Sequence, residues 1–130
     1  MALAGFMAFG FVLIYLRDFA PGKSDWIASY ATGTHFESRL AHAHGNLFAV
    51  LNLVYGVLLG RLDLPYHTAQ GISWLAFTGL LMPIGILGEV AIGAPPIFVL
   101  VGGLAMLAGT VWLGVAALRT KPVPSPDALS

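Results

Sequence analysis

The chain alternates long apolar stretches with short polar segments. Four stretches contain no charged residue, and they are 16, 21, 25 and 29 residues long: Met1–Leu16, Leu40–Gly60, Leu64–Gly88 and Val90–Leu118. About 20 apolar residues cross the hydrocarbon core of a bilayer as an α-helix, so three stretches are long enough and the first is slightly short. We therefore predict an all-α integral membrane protein with four transmembrane helices, at about 1–18, 38–60, 70–91 and 95–118.

The segments between these helices have the composition of extramembrane connections. Residues 18–38 hold most of the polar side chains and are predicted to form one substantial loop, and residues 61–70 a polar turn. Gly93–Pro96 predicts a tight hairpin, because proline can begin a helix without losing a needed hydrogen bond. Pro83 is expected to kink the third helix. Residues 1–118 thus form a single domain, followed by a flexible tail at 119–130.

Composition excludes several classes of protein. Of 130 residues, 58% are hydrophobic and 9% are charged, against about 25% charged in an average soluble domain. The formal net charge of zero argues against a nucleic-acid partner. The absence of cysteine excludes disulfides, thiolate metal sites and iron–sulfur clusters.

Orientation depends on the basic residues, which fall three on each side of the predicted bundle. An even number of helices places both termini on one side. Because Arg119 and Lys121 directly follow a helix end, we expect cytoplasmic termini, in a bacterial inner membrane.

The second predicted helix carries most of the polar side chains expected at membrane depth. These are Arg39, His42, His44, Asn46, Asn52 and Tyr55. At about 100° per residue, His42 and His44 point to opposite faces and cannot share one metal ion. His42 shares its face with Asn46, while His44 shares the other with Phe48 and Tyr55.

Two interpretations of these histidines stay open. Both rings could lie at the headgroup boundary and bond to water or to loop carbonyls. Alternatively, one imidazole is the axial ligand of haem b held between helices, with His42 as the first choice and His44 as the second.

His35 and His67 are expected in solvated loops. Glu89 either reaches the interface one turn before the hairpin or is a buried carboxylate.

Four short segments resemble the styrene oxide isomerase family. They are Arg39–His42, Thr68–Ala69, Gly85 and Pro96–Phe98. The resemblance implies a four-helix membrane enzyme, a homotrimer with haem b held between subunits, and His42 as the iron ligand with Arg39 beside the cofactor. It also implies that haem iron acts as a Lewis acid on a small apolar aryl epoxide, which becomes an aldehyde through a hydride shift.

The sequence departs from that family at two positions. Leu87 stands where the family has its catalytic tyrosine, and Phe48 where it has an asparagine. If the chemistry is retained, its hydrogen-bonding groups must come from other residues, for which the candidates are Asn46, Asn52, Tyr55 and Glu89.

Two other functions remain as alternatives. The run from His42 to Asn46 also resembles the four-helix trimers of glutathione and eicosanoid metabolism. However, His42 replaces their arginine and Ala49 their glutamate, and Arg39 alone is a poor supply of positive charge for glutathione. The second alternative is a non-catalytic accessory subunit of a membrane complex.

Overall fold

The computed structural model describes residues 1–119, which form six helices and no sheet. In chain order these are α1 (Ala2–Asp18), α2 (Lys23–Ala28), α3 (Gly33–Leu59), α4 (Tyr66–Gly79), α5 (Leu81–Ile92) and α6 (Ile97–Arg119). The prediction of an all-helical chain is confirmed. Beyond Arg119, the predicted tail lies outside the described residues.

Three helical segments within residues 1–119 are long and apolar enough to cross a membrane. They are Gly33–Leu59, Tyr66–Ile92 and Ile97–Arg119, the second comprising α4 and α5 together. Their outer surfaces are apolar, since Leu53, Phe77 and Leu107 are each about 60% exposed. Such surfaces suit a lipid environment, where apolar side chains need no cover. At 17 residues, α1 is shorter than these three.

The long polar connection contains more helix than its composition predicts. It includes α2, and α3 begins at Gly33, five residues before the predicted position. His35 causes this extension, because it is buried and its ring stacks on Trp26 of α2 at 4.5 Å between centroids. Nδ1 of His35 donates to the carbonyl oxygen of Trp26 at 2.6 Å. The expectation of a solvated His35 was therefore wrong, whereas His67 is exposed.

The third predicted helix is interrupted at Leu80, between α4 and α5. Pro83 accounts for the break, since it has no N–H to donate to Gly79, four residues earlier, and its ring crowds that carbonyl. The helix resumes with the bond from Ile84 N to Leu80 O at 3.3 Å. The interruption lies within one turn of Pro83, where the sequence predicts a kink.

The α5 helix ends at the hairpin with a left-handed glycine, the αL C-cap motif. Gly93 adopts φ +67°, and its N–H donates to Glu89 O while that of Ala94 donates to Gly88 O. Only glycine takes this left-handed conformation without steric cost, which explains the tight turn predicted at Gly93–Pro96.

The bundle is built on α3, which packs against α4, α5 and α1, while α6 packs against α4 and α5. The core lies where α3, α4 and α6 meet: Phe48, Tyr55, Ile72, Ala76, Leu80, Met106, Leu113 and Ala116. In contrast, α1 makes its main contacts with α3 and α2 and buries Phe6. The interface between α1 and α3 is thus open to the outside along one flank.

Candidate functional site

His42 lies at the interface between α3 and α1. Its Nδ1 is 2.8 Å from the carbonyl oxygen of Phe6. A carbonyl oxygen only accepts hydrogen bonds, so Nδ1 carries a proton and Nε2 is the ring nitrogen that could bind a metal ion. A histidine that donates Nδ1–H to a backbone carbonyl while offering Nε2 is the arrangement found in most protein metal sites.

Two glycines allow α1 to approach this ring closely. A Cβ on Gly10 would lie 2.8 Å from Cε1 and 3.2 Å from Nε2 of His42. A Cβ on Gly45 would lie 2.1 Å from the ring of Phe6. Any larger residue at either position would push the helices apart. Gly10 thus packs directly against the Cε1–Nε2 edge of the His42 ring.

Asn46 follows His42 by one helical turn and contacts it directly. Its Nδ2 donates to the backbone oxygen of His42 at 3.1 Å. Nδ2 is also 3.3 Å from both ring nitrogens. Because the lone-pair directions of the two nitrogens diverge, an equidistant donor is aligned with neither. Oδ1 of Asn46 is buried and has no hydrogen-bond partner in the structure.

An apolar groove runs beside these two residues, between α1 and α3. Its volume is about 430 Å³. It is lined by Met7, Gly10, Phe11, Leu13, Ile14, His42 and Asn46, and we refer to it as the α1–α3 groove. Phe11 is 74% exposed and Met7 58%, so the groove opens at the outer surface of the described helices. It is an apolar pocket with one imidazole and one amide in its wall.

His44 lies apart from this groove. Its Nδ1 donates to Leu40 O of its own helix at 2.9 Å, and its ring meets the edge of Phe48 at 6.0 Å between centroids. Its Nε2 is likewise the ring nitrogen that could bind a metal ion. Nothing in residues 1–119 brings His42 and His44 to a common ligand.

Asn52 and Tyr55 connect helices within the bundle. Nδ2 of Asn52 donates to Phe48 O and to Ala76 O of α4, both at 2.9 Å. Tyr55 hydrogen-bonds to Thr110 of α6. At 1.5 Å rise per residue, the two side chains start about 15 and about 20 Å along the helix from His42. Within one copy, the structure does not bring either residue to the imidazole.

The two charged candidate residues, Glu89 and Arg39, differ in their burial. Glu89 is exposed one turn before the end of α5, so a single copy of the chain does not bury its carboxylate. Arg39 is partly buried one turn before His42. Its guanidinium carbon lies 3.8 Å from the centroid of the Tyr30 ring, and Nη1 donates to Tyr30 O at 3.4 Å.

Sequence reasoning missed the contribution of α1. Phe6 supplies the acceptor for His42, and Gly10 supplies the space beside it. The available signal was Gly10 in the middle of an apolar helix, where a small residue permits close helix contact.

Residues 1–119 contain no cluster of three or more His, Cys, Asp or Glu able to hold a metal ion. A haem iron, however, needs only one or two protein ligands.

The chain matches no family model, no curated protein and no solved structure.

Proposed function

We propose that this protein is a haem b-binding integral membrane protein, with His42 as the axial ligand, that isomerises an aryl epoxide to an aldehyde. The observation that carries the haem proposal is the bond from Nδ1 of His42 to Phe6 O, which leaves Nε2 free at an apolar groove. The reaction itself is supported by the resemblance to styrene oxide isomerases.

The donor set fits haem better than it fits a free metal ion. One neutral imidazole beside apolar side chains suits an apolar macrocycle whose iron needs an axial nitrogen. Gly10 has no Cβ to crowd the ring, whereas a Cβ there would lie 3.2 Å from Nε2. A zinc ion, in contrast, takes three or four protein ligands, and His42 has Asn46 as its polar neighbour.

Each residue of the site has a specific task in this proposal. When bound, haem iron would supply Lewis acidity to an oxygen of the substrate. Phe6 O holds the His42 ring in one tautomer and orientation. The Asn46 amide is the polar group beside the imidazole, so it would position the substrate oxygen. Met7 and Phe11 would exclude water and pack against the aryl ring.

The membrane arrangement completes the proposal. With α1 as a fourth membrane span, both termini lie on one side, which we assign to the cytoplasm of a bacterial inner membrane. The α1–α3 groove opens outward on α1, where Phe11 is 74% exposed. A second copy of the chain would cover bound haem there, as expected for a homotrimer.

The test is the visible spectrum of the full chain purified in detergent with haem supplied, followed by an assay with styrene oxide. A Soret band together with conversion to phenylacetaldehyde, without added reductant, is expected. A colourless protein would refute the haem proposal and favour an accessory subunit or a glutathione-type enzyme. Haem binding without conversion would refute the isomerase proposal alone.

A further inference from the structure

The α1–α3 groove continues towards the connection that contains α2. Leu13 and Ile14 line both the α1–α3 groove and a second hollow of about 210 Å³. The other residues around this hollow are Arg17, Tyr30, His35 and Arg39. A ligand lying along α1 and α3 would therefore meet apolar side chains at one end and basic and aromatic side chains at the other.

The two arginines of this hollow differ in their pairing. Arg17 forms a two-pronged ion pair with Asp18, with N–O distances of 2.9 and 2.7 Å, so its charge is balanced. Within residues 1–119, no carboxylate lies in ion-pairing distance of Arg39. Tyr30 holds the guanidinium in place from one side. A partly buried cation without a counter-ion, fixed by an aromatic ring, is suited to binding an anion.

The spacing along α3 relates this cation to the imidazole. Arg39 and His42 are three residues apart, which places their Cβ atoms about 5–6 Å from each other on one side of the helix. Side chains on a helix lean towards its N-terminus, so the Arg39 guanidinium extends away from His42, towards the connection and the aqueous interface. Haem b has the same polarity, with two carboxylates on one edge and apolar substituents on the other.

We propose that Arg39 binds the propionate carboxylates of haem b and fixes the orientation of the macrocycle in the groove. Arg39 would hold the carboxylate edge at the hollow that it lines with Tyr30, and the side chains of the α1–α3 groove would hold the apolar edge. This inference rests on the proposed haem function. It adds that the protein recognises the carboxylates of its cofactor as well as the iron.

The test compares haem b with its dimethyl ester, which keeps the iron and the macrocycle but lacks both negative charges. Dissociation constants are measured by Soret titration of the full chain in nanodiscs. We expect haem b to bind about tenfold more tightly than the ester, the effect of one charge-assisted interaction. Arg39→Gln is expected to abolish this difference while binding the ester as tightly as the unaltered chain does.

Arg61→Gln is the matched control, because Arg61 is exposed beyond the opposite end of α3. It should retain the full preference for haem b. Arg39→Met, which keeps the apolar stem against Tyr30, provides a second variant if Arg39→Gln does not fold.

The possible failures are distinguishable. Equal affinity for haem b and the ester in the unaltered chain, or a preference that survives loss of Arg39, would overturn the carboxylate site while leaving haem binding intact. The absence of any Soret band with either compound would overturn the proposed function and this inference with it.

Discussion

The contact between Gly45 of α3 and Phe6 of α1 gives a sharp test of how the site is assembled. A Cβ on Gly45 would lie 2.1 Å from one ring carbon of Phe6 and 2.4 Å from two others. Ordinary van der Waals contact begins near 3.4 Å, so Gly45→Ala forces Phe6 or all of α1 to move by more than 1 Å. Phe6 is only 8% exposed, and its ring has little free space to enter.

The expected cost of Gly45→Ala combines three effects. Overpacking a tight contact costs about 1–3 kcal/mol. Moving α1 also lengthens the bond from His42 to Phe6 O, a loss of about 1 kcal/mol. Replacing glycine by alanine within a helix restores about 1 kcal/mol. We therefore expect a net loss of about 1–3 kcal/mol in the free energy of unfolding, with weaker haem binding because the His42 ring loses its anchor.

The assay is equilibrium unfolding in mixed micelles, with haem titration of the same samples. Gly56→Ala is the matched control, because it lies in the same helix and a Cβ there would meet nothing within 4 Å. It should be neutral or slightly stabilising. In a double-mutant cycle, Phe6→Ala should remove most of the cost of Gly45→Ala, since the clashing ring is gone. Equal behaviour of the Gly45 and Gly56 variants would refute the described packing of α1 on α3.

Three further outcomes follow from the same contacts. Asn46→Leu should weaken haem binding about tenfold, the effect of losing one polar contact beside the His42 ring. Asn52→Leu should leave the Soret titration unchanged and cost about 1 kcal/mol of stability by freeing Ala76 O; equal losses of affinity would contradict this. Tyr55→Phe should lower the free energy of unfolding by about 0.6–1 kcal/mol through loss of the bond to Thr110, and no change would show that the bond is absent. Gly93→Ala should cost about 1–2 kcal/mol, because alanine resists the left-handed conformation, and a fully stable variant would contradict the hairpin.

Much of the fold follows from hydropathy and from the special properties of glycine and proline. The apolar runs predict the long helices, Pro83 predicts the break, and Gly93 predicts the hairpin. The N-terminal part of α3 could not be predicted in this way, because residues 33–37 include Gly33, Thr34 and Glu37 and have the composition of a loop. In the structure, this part of α3 is held by His35 packing against Trp26 of α2, a contact that local sequence does not reveal.

The site was predictable to the extent that it lies on one helix. Helical spacing alone placed His42 on one face with Asn46 and His44 on the other with Phe48, and the members of each pair are in contact. The partner of His42 on α1 could not be predicted, because a bond between residues 36 positions apart depends on how two helices dock. The same limit applied to Asn52 and Tyr55, whose polar groups are used by α4 and α6.

The central claim is that the imidazole of His42 binds haem iron, and the most direct measurement is the Soret spectrum of His42→Ala with and without added imidazole. We expect the band to disappear in this variant and to return when free imidazole supplies the missing nitrogen, while His44→Ala keeps the spectrum of the unaltered chain. An unchanged Soret band in His42→Ala, or its loss in His44→Ala alone, would contradict the claim.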